Sequence, residues 1–287
     1  MKKILIQLDT DPQPSSFDSV VAVDAGVEEL LRYGSVTPET VEPLVHGAMF
    51  TRGPANLKNT AIFVGGSIVA DGEQVFERVC KTFFGPVRVS VMIDSNGSNT
   101  TAAAAILAAK RHLDLSGIEA LVLGGTGPVG QRAAQLLAMQ GAKVRVGSRL
   151  QERAAETCKV ISKVVENATL TPFATGGESG LQVACEGVAL IISAGAAGVT
   201  FLSADQRRSL DTLKVAIDLN AVPPAGLAGI EVTDKAADRE GVICYGAVGV
   251  GGTKMKIHKA AVRQLFESND QVLDTEAIFK IGEALDS

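Results

Sequence analysis

The strongest candidate for chemistry in this 287-residue chain is a glycine pattern between an aliphatic stretch and an alanine-rich stretch. The pattern reads G-x-G-x-x-G and comprises Gly125, Thr126, Gly127, Pro128, Val129 and Gly130. We expect Gly125 to permit a tight turn, Gly127 to let the main chain approach a pyrophosphate, and Gly130 to let a helix pack closely on a strand. Free N–H groups at the start of that helix would hold the pyrophosphate. The pattern predicts a dinucleotide-binding turn; a purely structural turn is the alternative.

The end of the second predicted strand indicates which dinucleotide fits. An NAD site carries Asp or Glu there, about 20 residues after the glycines, to bind the ribose 2′-hydroxyl. This chain instead has Ser148 and Arg149, with Arg153 one turn into the next predicted helix. Hydroxyl and guanidinium groups suit a dianionic 2′-phosphate. These residues predict NADP rather than NAD, the alternative being that the arginines are merely solvated.

Two further strand ends are expected to line the same cleft, because ligands bind outside the carboxyl ends of parallel strands. The strand predicted at 188–192 is followed by Ser193, Ala194, Gly195 and Ala196, whose small side chains leave room for a ribose. The strand predicted at 215–218 is followed by Asn220, which we expect near the nicotinamide. Ordinary turns without ligand contact are an equally open interpretation.

A polar segment between a predicted strand (87–93) and an alanine-rich helix (99–112) supplies the candidates for substrate binding. They are Asp94, Ser95, Asn96, Ser98, Asn99 and Thr100. Their hydroxyl and amide groups suit a polar heterocycle, but Ser and Asn at such positions also cap helices. Both interpretations stay open.

Lys254 and Lys256 are the candidates for a catalytic role, because they follow the glycine-dense segment 246–252, which we predict to be a hinge. The alternative is a solvated pair near a helix start. The chain has no G-x-S-x-G motif, no Tyr-x-x-x-Lys pair and no metal-ligand spacing among its histidines and cysteines. We therefore expect no metal, and a reaction that needs no conspicuous acid or base.

Aliphatic runs alternate with alanine-rich runs along nearly the whole chain, which is typical of α/β proteins with parallel sheets. We predict two domains: an N-terminal α/β substrate domain (1–114) and a Rossmann domain (115–252). Helices in 253–287, at 255–267 and 275–287, are expected to return to the first domain. Further predictions are helices over 16–33 and 37–48, and a last strand at 242–245.

The composition excludes several classes of function. The net charge is −5 and no block of Lys or Arg stands out, so we expect no nucleic-acid partner. The apolar runs are too short to span a bilayer, so we expect no membrane partner. Four widely spaced cysteines without a C-x-x-C pair favour the reducing cytoplasm.

Five segments together carry a resemblance to a known family. They are KILIQLDTDPQPSSFD, SNGSNTTAAAAI, VLGGTGPVGQRAA, VGSR and AVGVGGTKMKIHKAAV. Over its full length the chain resembles the NADP-dependent methylene-tetrahydromethanopterin dehydrogenases of methylotrophic bacteria, which also accept methylene-tetrahydrofolate. The resemblance implies a homo-oligomeric oxidoreductase of one-carbon metabolism that reversibly oxidises the methylene group to the methenyl form.

The implied chemistry agrees with the lack of an evident base. Loss of hydride from a carbon between two nitrogens leaves a delocalised cation, so no substrate proton has to be removed. Positioning of the two reactants can then supply most of the catalysis. We expect Lys256 first, and Lys254 second, to position the pterin.

Two other functions stay open. One is a shikimate-dehydrogenase-like NADP oxidoreductase, which would need a Lys and Asp pair that we cannot assign in the first domain. The other is a non-catalytic NADP-sensing protein, which would share the glycine turn and Arg149. The polar segment of the first domain favours an enzyme, because it suggests a second ligand.

Overall fold

The computed structural model describes residues 1–286, which divide into two compact units. The first unit is Met1–Thr100 together with the residues from Met255 onward, and the second unit is Thr101–Lys254. Each boundary lies inside a helix, whereas the sequence suggested a boundary in the polar loop after residue 114. The assignment of a substrate domain and a cofactor domain to these units stays a prediction.

The strands of the described residues are, in chain order, β1 (Ile4–Asp9), β2 (Glu29–Tyr33), β3 (Thr60–Gly65), β4 (Ser90–Ile93), β5 (Glu119–Leu123), β6 (Lys143–Ser148), β7 (Thr169–Ala174), β8 (Leu190–Ser193), β9 (Val215–Asp218), β10 (Lys235–Arg239), β11 (Val242–Tyr245) and β12 (Val272–Leu273). The helices are α1 (Ser16–Asp24), α2 (Glu42–Phe50), α3 (Val69–Thr82), α4 (Ser98–Lys110), α5 (Pro128–Met139), α6 (Gln151–Ser162), α7 (Glu178–Cys185), α8 (Ala204–Arg208), α9 (Ala247–Gln264) and α10 (Thr275–Asp286). The end predicted for the last helix, at Ser287, lies outside the described residues.

The first unit is built on a parallel sheet with strand order β12-β4-β3-β1-β2. Its central strand β3 is buried along its whole length, because aliphatic side chains meet packed helices on both faces. The chain returns to this sheet near its C-terminus, where Val272 of β12 pairs with Val91 of β4. The predicted α/β fold, completed by the last part of the chain, is confirmed; the short strand β12 was not predicted.

The helix predicted over 16–33 is wrong in its second half. Helix α1 ends at Asp24, and Gly26 then adopts a φ of +93°, which a right-handed helix cannot accommodate. The next residues form β2 at the edge of the sheet, with Leu30 half-buried and the other four exposed. An edge strand without alternating apolar and polar residues gives no strand signal in the sequence.

The helix predicted over 37–48 begins later than expected, at Glu42. The preceding residues form a turn in which the Thr40 hydroxyl accepts the Thr37 N–H at 2.9 Å. Proline does occupy the first turn of α2, but it is Pro43 rather than Pro38. Two nearby prolines offered two possible starts, and the sequence pattern favoured the wrong one.

The second unit is a Rossmann fold, as predicted. Its strand order is β10-β11-β9-β8-β5-β6-β7, and all neighbours are parallel except β10 and β11. Starting from β5, the chain adds β6 and β7 on one side and then β8, β9 and β11 on the other, which is the Rossmann order. The loops after β5 and β8 therefore diverge at the switch point where such sheets bind ligands.

The glycine-dense segment 246–252 is not a hinge loop, because helix α9 already begins at Ala247. Close packing requires two of its glycines: an added Cβ would lie 2.1 Å from the Glu231 carbonyl oxygen at Gly246, and 1.7 Å from that of Asp234 at Gly249. The same helix carries both candidate lysines.

Within residues 1–286, no helix is both long and apolar enough to cross a membrane.

Candidate functional site

The turn after β5 brings main chain against main chain. Gly124 has a φ of +70°, and a Cβ there would lie 2.5 Å from the Cα of Gly195, after β8. Gly124 thus makes the tight turn that we expected at Gly125. The Gly125 N–H donates to the Gly147 carbonyl at 2.9 Å, and a Cβ on Gly125 would lie 2.8 Å from Val146. Gly125 therefore allows β5 and β6 to approach each other, which is a packing role.

Helix α5 starts as an anion-binding helix would. Its N-cap residue is Gly127, which has no side-chain oxygen to bind the first N–H groups, and Pro128 follows. Within residues 1–286, the N–H groups of Val129 and Gly130 have no hydrogen-bond acceptor. A Cβ on Gly130 would lie 2.3 Å from the Gly124 carbonyl oxygen, which confirms close packing at this glycine. The positive end of α5 is therefore open to an anion.

A cavity of about 950 Å³ lies along this edge of the second unit. Most of the predicted cofactor residues line it: Thr126, Gly127, Pro128, Ser148, Arg149, Arg153, Ala194, Gly195 and Ala196. Its volume is at the upper end of the range for small-molecule sites, about 300–1,000 Å³. The glycine turn, the end of β6 and the end of β8 are thus brought together as the sequence predicted.

Two positive groups line the cavity without a counterion. Arg149 and Arg153 are both exposed, and within residues 1–286 neither guanidinium has a hydrogen-bond or ion-pair partner. Ser148 is buried, and its Oγ accepts the Leu150 N–H at the long distance of 3.5 Å. Two unpaired cations at the end of β6 favour a doubly charged anion there.

The cavity has a third wall that was not predicted from the sequence. It is formed by the turn from β7 into α7, namely Thr175, Gly176, Gly177 and Glu178, of which Glu178 carries a carboxylate. Phe201 also lines the cavity, and a Cβ on Gly195 would lie 2.1 Å from its ring. The end of the third strand was a detectable signal, because it lies at the same edge of a parallel sheet as the first two.

Two predicted cofactor residues lie elsewhere. Ser193 is fully buried, and its Oγ has no partner within residues 1–286. Asn220 lines a separate cavity of about 390 Å³, and its amide donates to the Pro224 carbonyl at 3.0 Å. The neighbouring Asp218 accepts the N–H groups of Leu227, at 3.1 Å, and of Asn220, at 3.2 Å. Asn220 and Asp218 therefore organise their own loop.

The predicted substrate segment is largely interior to the first unit. Asp94 is fully buried and caps α4: its carboxylate accepts the N–H groups of Asn99 (2.9 Å) and Thr100 (3.0 Å) and the Thr100 hydroxyl (2.6 Å). The Ser98 hydroxyl donates to the Ser95 carbonyl at 2.8 Å. All these residues are buried, which favours the capping interpretation for them.

One residue of the segment remains available to a ligand. Asn96 is exposed, and its φ of 55° is one that asparagine tolerates better than most residues. Its N–H donates to the Gly66 carbonyl at 2.7 Å, which leaves its side chain for other contacts. Binding of substrate by this segment stays a prediction that now centres on Asn96.

His258, on α9, is fully buried. Its Nδ1 lies 3.9 Å from an Asp94 carboxylate oxygen, and its ring stacks on Phe63 with centroids 5.7 Å apart. Lys256, two residues before His258 on α9, is exposed, and Lys254 on the same helix is partly exposed. At about 100° per residue, Lys256 points away from the helix face that buries His258.

Burial disfavours nucleophilic chemistry at the cysteines. Burial raises the pKa of Cys185 and of Cys244 to about 11, and it also raises the pKa of Cys80 and Cys158, so all four thiols stay protonated near neutral pH. Among the described residues, no group of three or more His, Cys, Asp or Glu is arranged to hold a metal ion.

Comparison with known proteins gives a consistent set of relatives. A family model described as the N-terminal part of methylene-tetrahydromethanopterin dehydrogenase matches residues 16–96. Two curated proteins of Methylorubrum extorquens match nearly end to end. One, named bifunctional protein MdtA, is 42% identical over 99% of each chain, and the other, named NAD(P)-dependent methylenetetrahydromethanopterin dehydrogenase, is 32% identical over 98% of each.

Solved structures with the same fold include the shikimate 5-dehydrogenase of Listeria monocytogenes in complex with shikimate and NAD. Its TM-score is 0.55 at 14% identity, with 99% of this chain and 96% of that chain covered. At this identity the likeness concerns the fold alone.

Proposed function

This chain belongs to the methylenetetrahydromethanopterin dehydrogenase family, and from that premise we propose that it oxidises methylene-tetrahydromethanopterin to the methenyl form with NADP. Methylene-tetrahydrofolate is the second substrate in this proposal. The near-complete coverage of both curated relatives favours this function over a shikimate-dehydrogenase-like activity, because the likeness to the shikimate enzyme extends only to the fold.

The residues around the cavity fit a dinucleotide. Main chain packs directly against main chain at Gly124 and Gly130, which holds the glycine turn beside the start of α5, and the uncapped start of that helix offers N–H groups to a diphosphate. Ala194, Gly195 and Ala196 leave room for a ribose at the end of β8. A bound nicotinamide dinucleotide would supply the hydride-accepting ring, and the protein would supply its binding and orientation.

The preference for NADP rests on one observation: Arg149 and Arg153 line the cavity at the end of β6 and have no counterion within residues 1–286. Guanidinium groups bind phosphate through paired, charge-assisted hydrogen bonds. A ribose diol offers no charge to either arginine. We therefore expect the 2′-phosphate of NADP to occupy this end of the cavity.

The oxidation requires little acid or base catalysis from the protein. The substrate methylene lies between two nitrogens, and the positive charge left after hydride loss is delocalised over both. The protein has to orient the two reactants and exclude water, which places the demand on shape and positioning. Lys256, with Lys254 as the second candidate, is proposed to position the pterin, since a protonated lysine beside the developing cation would oppose the reaction.

The assembly and location of the protein belong to the same proposal. We expect a homo-oligomer, which sedimentation of the purified chain tests, and a cytoplasmic location, which cell fractionation tests. A monomer in solution, or recovery in the membrane fraction, would contradict these two points and leave the activity itself standing.

The decisive assay follows NADPH formation at its absorbance maximum with methylene-tetrahydromethanopterin, methylene-tetrahydrofolate and shikimate in turn, each with NADP and with NAD. We expect reduction of NADP with the two pterin compounds and none with shikimate. Binding of NADP by calorimetry without turnover of any pterin would instead identify a cofactor-sensing protein.

A further inference from the structure

The turn between β7 and α7 holds the main chain that carries Arg149. The Thr175 N–H donates to the Ser148 carbonyl at 2.7 Å, and the Thr175 hydroxyl donates to the same oxygen at 3.3 Å. Beyond the end of the β6–β7 ladder, both hydrogen bonds therefore converge on the residue immediately before Arg149.

Gly176 extends this contact to Arg149 itself. A Cβ at Gly176 would lie 2.9 Å from the Arg149 carbonyl oxygen and 3.2 Å from its Cα. The φ of Gly176 is not in the left-handed region, so glycine is needed there for space and not for conformation. The adjacent Gly177 differs, because a Cβ on it would meet no atom within 4 Å.

Arg149 depends on such support for its direction. Its guanidinium has no partner within residues 1–286, and a long exposed side chain loses appreciable rotamer entropy when a ligand fixes it. Only its main chain is held, and a rigid main chain limits where the guanidinium can reach. A displacement of a few tenths of an ångström there is enough to spoil a two-point contact with phosphate.

We propose that Thr175 and Gly176 are positioning residues that set the preference for NADP over NAD, by fixing the main chain of Ser148 and Arg149 against the end of β7. The inference rests on the proposed function, since it assumes that Arg149 meets the 2′-phosphate. Thr175 and Gly176 would thus influence which cofactor is selected without having to touch it.

The test compares Gly176→Ala with Gly47→Ala, a substitution inside α2 of the first unit, in the full-length enzyme, using kcat/KM for NADP and for NAD with methylene-tetrahydromethanopterin. Gly176→Ala should lower the ratio of the two values by about tenfold, the loss expected for one weakened charge-assisted contact, with the value for NAD nearly unchanged. Gly47→Ala should keep the wild-type ratio, because its added methyl group meets no atom within 4 Å and lies outside the cavity.

Activity with NAD reports whether Gly176→Ala is folded. If it is not, Thr175→Val decides, since it keeps the N–H and the side-chain volume and removes only the longer hydrogen bond; a fall in the ratio of about threefold is expected. Equal losses of kcat/KM with NADP and with NAD would show a structural role and overturn the inference. An unchanged ratio of the two kcat/KM values in the folded variants would overturn it as well. A wild-type enzyme that reduces neither cofactor would instead overturn the proposed function.

Discussion

Gly130 packs so closely on the glycine turn that a Cβ on it would lie 2.3 Å from the Gly124 carbonyl oxygen. Gly130→Ala must therefore move the start of α5 away from the turn. We expect the dissociation constants of NADP and NAD to rise together, by tenfold or more, because both share the diphosphate. Overpacking should also lower the free energy of unfolding by about 1–3 kcal/mol.

Calorimetry and urea unfolding measure the two effects, and Gly47→Ala is the matched control. Gly47 lies inside α2, and a Cβ there meets nothing within 4 Å. That variant should be more stable than wild type by about 0.5–1 kcal/mol. Wild-type affinity in Gly130→Ala would show that the diphosphate is bound elsewhere.

Arg149→Gln should weaken NADP binding by about ten- to a hundredfold and leave NAD binding within about twofold, because only the 2′-phosphate gains from the guanidinium. The affinity of wild type for NADP should also fall more steeply with salt than that of the variant. Arg78→Gln, at an exposed ion pair with Glu42 in the first unit, serves as the control. Equal losses for both cofactors would remove Arg149 from the selectivity site.

Lys256→Ala should lower kcat by about tenfold or more and leave the dissociation constant of NADP unchanged, because a positioning group acts on the second reactant. Lys254→Ala, measured in parallel, ranks the two candidates. Lys280→Ala removes a lysine from an exposed pair with Glu276 and should change neither quantity. Wild-type kinetics for both Lys256→Ala and Lys254→Ala would exclude these lysines from catalysis.

Variants of Asp94 and Asn96 distinguish helix capping from substrate binding in this segment. Asp94→Asn places an amide among buried donors, so we expect unfolding free energy to fall by about 2–4 kcal/mol. Asn96→Gly keeps the positive φ without strain and removes an exposed side chain, so it should raise KM for the pterin and barely change stability. If Asp94→Asn instead raised KM for the pterin and left the free energy of unfolding in urea nearly unchanged, Asp94 would again be a candidate substrate contact.

The buried thiols make stability depend on alkaline pH. Burial raises the pKa of Cys185 and Cys244 to about 11, above the value of about 8.5 in an unfolded chain. The folded state keeps its thiol protons to higher pH than the unfolded chain does. The contribution of each thiol to the free energy of unfolding is therefore complete below about pH 8.5 and falls by on the order of 1–3 kcal/mol as the pH rises towards 11. Cys185→Ala should flatten the slope of unfolding free energy between those limits; an unchanged slope would contradict the assignment.

Sequence reasoning found the Rossmann unit because its signals are local. The aliphatic run 119–123, the glycines after it and the missing carboxylate at Ser148 and Arg149 all lie within one strand–helix–strand segment. It failed where a partner distant in sequence decides the outcome. The segment 246–252 resembles a flexible loop in the sequence, whereas contacts with Glu231 and Asp234 require glycine at Gly246 and Gly249. Strand β2 likewise depends on pairing with β1.

The site was predictable to a similar extent. Polarity alone made Asp94 a candidate ligand, whereas its burial and its bonds to the start of α4 could be known only from the fold. His258 carried no sequence signal of its burial against Phe63. Thr175 and Gly176 were missed because their importance lies in contacts with Ser148 and Arg149, each 27 positions earlier in the chain, and not in their chemistry.

The contact between Gly124 and Gly195 limits how cofactor choice can be redesigned. The two loops meet through backbone atoms, and Gly124 also needs its φ of +70°, so a library randomised at Gly124 should return almost only glycine among active clones. Arg149 and Arg153 are exposed at the rim of the cavity, so positions 149 and 153 should accept many residues. Engineers who want an NAD-specific version of this enzyme therefore have a narrow but clearly bounded target.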